Sequence, residues 1–480
     1  MIRYIIFRAF EMIGILMFLP LIVAFYFKEW ECAVIFMALA GTVTLLGVFG
    51  ARKKPKSYTF FAREGFVITA LIWIVISLIG ALPFVITGEI PHYVDAVFET
   101  VSGFTTTGAS IMRTLTGMSK STLFWRSFTH WLGGMGVLVF MLAVLPLSGG
   151  SGSTMHLMRA ESPGPSVGKF VPKVKSTAKL LYMIYVGFTL TEILLLVITG
   201  LDLFEASTLT FGTVGTGGFA ITDASINPYP LSSQIIIMIF MMLCGVNFSV
   251  YYLLSTRRFK EALKSEEVRW YLIILFGSAA LITINLVTSG VMATTPDAIH
   301  HSLFTVTSII TTTGYATADF NVWPAFSKSI IFLLTLLGAC AGSTGGGFKV
   351  SRLIIIIKRI RNELIFNTHR KSVKQVYLDR QRVDGTTVKS VVVYVCIYAL
   401  LYLFSFVLIS LDGFSFETNF TAVAATINNV GPGFEMVGAT GNYANFSAFS
   451  KIVLSVDMLA GRLEFIPILL LLRRKTWLGD

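Results

Sequence analysis

Phe98-Glu99-Thr100-Val101-Ser102-Gly103-Phe104-Thr105-Thr106-Thr107-Gly108 passes from a short amphiphilic segment into a threonine run closed by glycine, with a long apolar stretch to follow. Gly215-Thr216-Gly217-Gly218, Thr311-Thr312-Thr313-Gly314 and Val430-Gly431-Pro432-Gly433 sit in the same setting. Irregular backbone survives at membrane depth only where it is buried in protein or lines water. Four such loops in one chain suggest a ring of carbonyl oxygens around one axis, the arrangement of a cation filter.

The rest of the chain makes the membrane its setting. Of 480 residues, 54% are hydrophobic and 13% charged, against roughly 25% charged in an ordinary soluble domain. A bilayer-crossing helix needs about 20 apolar residues. Ten runs approach or exceed that length: 5–26, 33–50, 66–88, 122–146, 179–200, 232–255, 270–291, 326–358, 389–411 and 448–473. The first carries Arg3 and Arg8, is too long for a signal-peptide core and has no A-x-A site after it, so it reads as a span that directs insertion. Cys32, Cys244, Cys340 and Cys396 are scattered without metal-ligand spacing and read as small buried side chains. The chain carries no cofactor motif.

The formal charge of +12 resolves once it is laid on this topology. Basic residues crowd alternate connections: Arg52, Lys53, Lys54, Lys56 and Arg63; Arg159, Lys169, Lys173, Lys175 and Lys179; Arg257, Arg258, Lys260, Lys264 and Arg269; the stretch 349–389; and Arg473, Arg474 and Lys475. The positive-inside rule makes that side, and the N-terminus with it, cytoplasmic. No nucleic-acid partner is needed to explain the charge. All four Thr/Gly loops then fall on the outer side with Asp95, Glu99, Asp202, Glu205, Asp223, Asp297, Asp319, Asp412, Glu417 and Glu435. These acids either draw cations to an entrance, or cap short helices or are simply solvated.

Aligning Gly108, Gly218, Gly314 and Gly433 gives a repeating order of span, short segment, Thr/Gly loop, span and basic loop. The expected fold is an all-α polytopic membrane protein: four parallel span–pore-loop–span repeats in a pseudo-fourfold, K+-channel-like pore. The units are 51–165, 166–256, 257–375 and 376–480. Residues 1–50 form a two-span N-terminal prefix that packs peripherally. The short segments before the loops are too short to span and suit re-entrant half-helices, with Asp95 and Asp297 at their N-caps. Each half-helix would turn its negative C-terminal end to the axis, favouring a cation.

With Trp125-Arg126-Ser127 and His130-Trp131-Leu132-Gly133-Gly134-Met135-Gly136 added, the opening motif resembles the first repeat of the Trk/Ktr potassium transporters. Asn429-Val430-Gly431-Pro432-Gly433 resembles that family's fourth filter loop, Gly338-Ala339-Cys340-Ala341-Gly342-Ser343-Thr344-Gly345-Gly346-Gly347-Phe348-Lys349 its intramembrane gating loop, and Gly461-Arg462-Leu463-Glu464 its pore-side arginine motif. The two-span prefix is more similar to the TrkH/TrkG membrane subunits than to the shorter KtrB proteins. The resemblance covers essentially the whole chain. It implies K+ uptake across a bacterial cytoplasmic membrane, with K+ as cargo and no bound cofactor. The implied filter positions are Thr106, Thr107 and Gly108; Thr216, Gly217 and Gly218; Thr312, Thr313 and Gly314; and Gly431, Pro432 and Gly433. It also implies a homodimer and a cytosolic nucleotide-binding partner ring, TrkA-like, docked on 352–389.

Glycines Gly342, Gly345, Gly346 and Gly347, with Ser343 and Thr344, interrupt the run 326–358, and several helix-interior glycines together imply a break. Phe348 between Gly347 and Lys349, with no strand before the glycines, excludes a phosphate-binding loop. A flexible gate beneath the filter fits instead, with small-residue helix packing as the alternative. Arg462 lies inside the last apolar run, where an arginine must face water or a partner. It reads as a fixed charge that eases ion exit, or as half of an ion pair with Asp457 or Glu464. His130 reads as an interface residue, and the glycines after it as a helix contact. A membrane enzyme acting on lipid phosphate would need paired acids or a nucleophile–base set that the basic loops lack. Symport coupled to H+ or Na+ on the same scaffold stays open.

Overall fold

A computed structural model describes residues 2–53, 55, 62–136, 174–262, 264–369, 374–379 and 381–476. The far end of the run 122–146, the first repeat boundary at 165, and Lys54, Lys56, Arg159, Lys169, Lys173, Arg370, Lys371 and Arg380 lie outside the described residues. The described chain is helical apart from one small antiparallel hairpin, Tyr377–Leu378 with Gln381–Arg382.

The prefix is a helical hairpin, α1 (Ile2–Leu16) and α2 (Phe18–Tyr26) against α3 (Trp30–Gly50). Gly14 lets the pair close, because a Cβ there would stand 2.5 Å from the Thr44 backbone nitrogen. The prefix is not a passive neighbour. At its turn, Glu29 accepts hydrogen bonds from the Lys120 and Ser121 amides at 2.6 and 3.0 Å. It thereby satisfies free N–H groups in the first turn of α7 (Lys120–Gly134).

After the prefix the element order recurs. A span α4 (Ala62–Gly80, continued by α5, Leu82–Ile86), a short helix α6 (Tyr93–Phe104) and α7 come first. Next are α8 (Val174–Ile198), α9 (Leu203–Val214), then α10 (Leu231–Cys244) with α11 (Phe248–Ser255) and the one-turn α12 (Phe259–Ala262). They are followed by α13 (Glu266–Thr288), α14 (Thr295–Ile310), α15 (Ala325–Leu337) and α16 (Val350–Thr368). Last are α17 (Gly385–Ile409), α18 (Phe416–Ile427), α19 (Ala448–Arg462) and α20 (Ile466–Leu472). The spans α8, α13 and α17 carry many exposed leucines, isoleucines and phenylalanines, whereas residues of α6, α9, α14 and α18 are mostly buried. Short helices inside a shell of apolar spans are the inverse of a soluble fold, and suit lipid on the outside.

Among the described residues six helices are long and apolar enough to cross a membrane, seven if a bent pair counts as one span. The ten runs read from the sequence are thus not ten straight spans. The run 232–255 breaks between α10 and α11 with a bend of 90°, where Asn247 caps the second piece by accepting from the Ser249 amide at 2.9 Å. The run 326–358 breaks at the glycines, as its composition predicts. The run 448–473 breaks after Arg462, where Glu464 and Phe465 both take positive φ.

The short helices begin slightly earlier than the sequence suggests. Asp95 and Asp297 are not N-caps; His92 and Thr294 hold those positions. Thr294 Oγ1 donates to the Asp297 carboxylate at 2.7 Å and accepts from its amide at 3.2 Å. Both aspartates still sit in the first turn, where their charge suits the helix dipole.

Candidate functional site

The short helices α6, α9, α14 and α18 end in one shared way. In each, three successive amides bond back to the carbonyls four, three and five residues earlier. Thr105, Thr106 and Thr107 reach Val101, Gly103 and Ser102; Gly215, Thr216 and Gly217 reach Phe211, Thr213 and Gly212. Thr311, Thr312 and Thr313 reach Thr307, Ile309 and Ser308; Asn428, Asn429 and Val430 reach Ala424, Thr426 and Ala425. The middle residue is left-handed every time: Thr106 (φ 55°), Thr216 (53°), Thr312 (60°) and Asn429 (55°). Four non-glycine residues held there in register is strain repeated by design. The glycine two positions on also takes positive φ: Gly108, Gly218, Gly314 and Gly431.

That equivalence corrects the register of the fourth loop. Gly431, not Gly433, corresponds to Gly108, so the positions matching Thr106-Thr107-Gly108 are Asn429-Val430-Gly431. Pro432 and Gly433 lie just beyond them. A glycine-to-glycine alignment chose the wrong one because Gly431 and Gly433 both flank the proline. The positive φ of Gly431, with the shared bonding pattern that ends at Val430, separates them.

The four loops close on one another. A Cβ on Gly108 would collide with the Gly217 carbonyl oxygen, and one on Gly218 with that of Thr313. One on Gly314 would collide with the Val430 carbonyl oxygen, and one on Gly431 would stand 2.6 Å from that of Thr107. Each ring glycine is thus pressed against the carbonyl preceding the glycine of the next loop, and the fourth returns to the first. Here glycine is required twice over, by φ and by space.

Each loop is held differently. In the first and third, threonine hydroxyls two apart pair across the turn: Thr105 with Thr107 at 2.8 Å, Thr311 with Thr313 at 2.9 Å. In the fourth, Asn429 donates to Thr107 Oγ1 at 3.0 Å and to the Met458 carbonyl at 2.9 Å, while the Tyr443 hydroxyl donates to the Gly431 carbonyl at 2.8 Å. Behind the first loop lies a buried ion pair, Arg126 Nε to Glu99 Oε1 at 2.7 Å. Glu99 also accepts from the Ser110 hydroxyl and the Ile111 amide, and Arg126 donates to the Ala220 carbonyl at 2.9 Å while lying over Phe219. The pair therefore ties the exits of the first and second loops together. His130 is not at an interface. It is fully buried, bonded through Nδ1 to the Gly103 carbonyl at 2.8 Å, and its ring fills the space a Gly217 side chain would need.

The outer acids are mostly committed to structure. Asp202 and Asp319 cap helical turns, Asp223 accepts from the Leu115 amide at 2.6 Å, and Asp412 from the Ser447 amide at 2.8 Å. Asp95 pairs with Lys451 at 2.7 Å and Glu417 with Lys328 at 3.0 Å. The Glu435 carboxylate takes hydrogen bonds from the Ser415 and Thr418 hydroxyls, which hold it below the usual carboxylate range. Two of these acids cap helical turns and the others named are held in ion pairs or loop hydrogen bonds, so they are not a bank of free charges.

The segment 338–349, between α15 and α16, lies across one mouth of the ring. The Gly346 amide donates to Thr312 Oγ1 at 2.7 Å, and a Cβ on Gly345 or Gly346 would stand 2.8 Å from the Thr311 carbonyl oxygen or 2.5 Å from that of Asn428. Its seat is the break between α10 and α11. Cys340 donates to the Gly245 carbonyl at 3.1 Å, and the Phe248 amide to that of Gly342 at 3.0 Å. Glu267 of α13 accepts from the Ala341 amide at 2.7 Å and the Ser351 amide at 3.1 Å, holding the chain on either side of the glycines 342–347. The Lys349 ammonium is buried and donates to the Gly345 carbonyl.

Arg462 is a clamp. Its guanidinium donates to the Thr344 carbonyl at 2.9 Å, and to those of Gly133 and Gly134 at 2.5 and 3.1 Å. Glu464, one of its candidate partners, pairs with Arg352 at 2.5 Å. Asp457, the other, accepts from the Ser405 hydroxyl at 2.7 Å. The glycines 133 and 134 do serve close contact, as their composition predicts. A Cβ on Gly134 would lie 2.7 Å from Gly215 Cα. Among the described residues no group of three His, Cys, Asp or Glu could hold a metal ion.

Sequence reasoning missed Glu267, Glu192 and the break at 245–247. Glu192, an acid inside the run 179–200, was one legible signal, and Gly245 and Asn247 inside an apolar run were another.

Several long apolar helices around buried short helices and their loops define a polytopic helical membrane protein. The sequence model of the TrkH family, described as "Cation transport protein", matches residues 32–477, and the chain belongs to that family. The Trk system potassium uptake protein TrkH of Escherichia coli (strain K12) is 35% identical over 87% of this chain and 86% of its own length. TrkH of Halomonas elongata is 32% identical over 97% and 96%. The crystal structure of the potassium transporter TrkH from Vibrio parahaemolyticus superposes with a TM-score of 0.88 at 29% identity, covering 99% of this chain and 98% of that one.

Proposed function

We propose that the chain takes up potassium through a gated, channel-like pore whose filter is the ring of four loops. The units 51–165, 166–256, 257–375 and 376–480 surround it with pseudo-fourfold symmetry. The observation that carries the reading is the closed succession of glycine–carbonyl contacts from Gly108 through Gly218 and Gly314 to Gly431. Carbonyls so arranged replace the hydration shell of K+, and the potassium uptake named for the relatives supports K+ as the ion.

The segment 338–349 is the gate, with Gly342, Ser343, Thr344, Gly345, Gly346 and Gly347 as its moving part. Arg462 holds it shut through Thr344, which adds a locking role to its positive charge beneath the filter. The N-terminus is cytoplasmic, in the inner membrane of a bacterial cell. The chain works as a homodimer with a cytosolic nucleotide-binding partner docked on the basic stretch 352–389.

Rb+ flux into proteoliposomes, with and without competing Na+, tests the reading. Gly108→Ser should lower the K+/Na+ ratio, and an unchanged ratio sinks the filter assignment. Flux insensitive to imposed H+ and Na+ gradients separates channel-like conduction from symport.

A further inference from the structure

Tyr443 lies in the connection between α18 and α19. Its ring is buried against Phe98 of α6, with centroids 5.5 Å apart, and against Phe446 at 5.8 Å. Its backbone is fixed to the exit of the first loop, where its amide donates to the Ser110 carbonyl at 2.8 Å. Ser110 is in turn held by Glu99, to which its hydroxyl donates at 2.9 Å. From that seat the Tyr443 phenol donates to the Gly431 carbonyl at 2.8 Å, its one hydrogen-bond partner among the described residues. A buried hydroxyl keeps such a partner, because leaving it costs desolvation with nothing in return. Side chain and amide together thus tie a ring carbonyl of the fourth loop to the first repeat.

No other ring glycine is engaged in this way. Among the described residues no donor reaches the carbonyl of Gly108, Gly218 or Gly314. A carbonyl oxygen has two lone pairs. Those three keep both for an ion, whereas Gly431 has given one to the phenol. The fourth loop also carries no hydroxyl of its own: Asn428 and Val430 stand where Thr105 and Thr107 pair in the first loop and Thr311 and Thr313 in the third. Selectivity in carbonyl filters is ascribed either to the number and field strength of the oxygens or to the spacing at which they are held. The Tyr443 hydroxyl acts on both, drawing on the charge of one oxygen and fixing its direction.

We propose that Tyr443 is a positioning residue that sets ion specificity: its hydroxyl holds the Gly431 carbonyl, so that the fourth loop offers the ion a fixed oxygen where the other three offer free ones. The proposal rests on the reading of the ring as a filter. The test uses the full chain in proteoliposomes, with K+/Na+ permeability ratio and melting temperature both read. Tyr443→Phe keeps the ring between Phe98 and Phe446 and removes only the donor. It should lower the ratio by about threefold to tenfold, the worth of one hydrogen bond. Tyr402→Phe is the comparison, because it removes a like bond, from the Tyr402 hydroxyl to the Phe420 carbonyl at 2.7 Å, within α18 rather than on a ring glycine. It should keep the ratio within about twofold of the parent, whatever it does to the melting temperature. A Tyr443→Phe variant with the parental ratio overturns the proposal. So does a Tyr402→Phe variant that loses as much, since the effect would then be a general loosening of the fourth repeat. Gly108→Ser runs alongside: a ratio unmoved there withdraws the filter reading and the role of Tyr443 with it, whereas a ratio that falls there but holds in Tyr443→Phe withdraws the role of Tyr443 alone.

Discussion

Removing the Glu267 carboxylate should open the gate. This one side chain accepts from amides on either side of the glycines 342–347, Ala341 at 2.7 Å and Ser351, in the first turn of α16, at 3.1 Å. Hydrogen bonds to a charged group contribute about 1.5–3 kcal/mol each. The Cys340–Gly245, Lys349–Leu337 and Val350–Ala339 backbone bonds remain in a variant, so the two together bias the closed state by about 3 kcal/mol rather than the full sum. At about 1.4 kcal/mol per decade, Glu267→Leu should raise partner-free basal Rb+ flux by roughly 100-fold if both bonds break on opening, and by about tenfold if one persists. Glu267→Gln keeps an acceptor oxygen without the charge and should raise flux only severalfold. The assay is Rb+ uptake into proteoliposomes without any cytosolic partner, beside single-channel open probability. Basal flux at the parental level in Glu267→Leu, with the protein intact by gel filtration, would refute the assignment of these bonds to the closed state.

Other expectations follow from the same geometry. Gly431→Ala puts a Cβ 2.6 Å from the Thr107 carbonyl oxygen at a φ of 91°, and should lower the K+/Na+ ratio more than Gly433→Ala; the reverse order would return Gly433 to the ring. Arg126→Leu leaves Glu99 buried and unpaired and should cost about 3–5 kcal/mol in unfolding experiments, largely recovered by adding Glu99→Gln; a cost under about 1 kcal/mol would show the pair to be dispensable. Glu435 has its pKa lowered in the fold by Ser415 and Thr418, so its contribution is present above the unfolded value, about 4.3, and is lost as pH falls through the folded one. Protection factors of the amides over 415–418 and 434–437, corrected for the intrinsic pH dependence of exchange, should therefore fall below about pH 4 and be flat from pH 5 to 7; a fall already at pH 6 would assign the effect to another group.

The fold was readable because lipid enforces a simple grammar. Apolar runs marked the long helices, though not every run is one straight span, and Thr/Gly loops stood out because irregular backbone is excluded from hydrocarbon. The glycines between 342 and 347 announced a broken helix for the same reason. The fourth loop misled, because two glycines around Pro432 offer two registers and only the left-handed Asn429 chooses between them. The break at 245–247 was harder: Leu231–Cys244 and Phe248–Ser255 are each apolar, so hydropathy joined what geometry bends by 90°. Tertiary partners were the least legible. Arg462 reads as a fixed charge or as half of an ion pair, and its bonds to the carbonyls of Thr344, Gly133 and Gly134 were not legible, because carbonyls have no letter in the sequence.

The central claim is that four loops make one ion site. Anomalous scattering from crystals grown in Rb+ or Tl+ locates the ion directly. The account predicts peaks on the axis, within coordination distance of carbonyls from Thr106, Thr216, Thr312 and Asn429 or the residues immediately after them, that are reduced by competing K+ more than by equal competing Na+. Peaks confined to the outer acids or to the cytoplasmic side of Arg462, with none inside the ring, would contradict it.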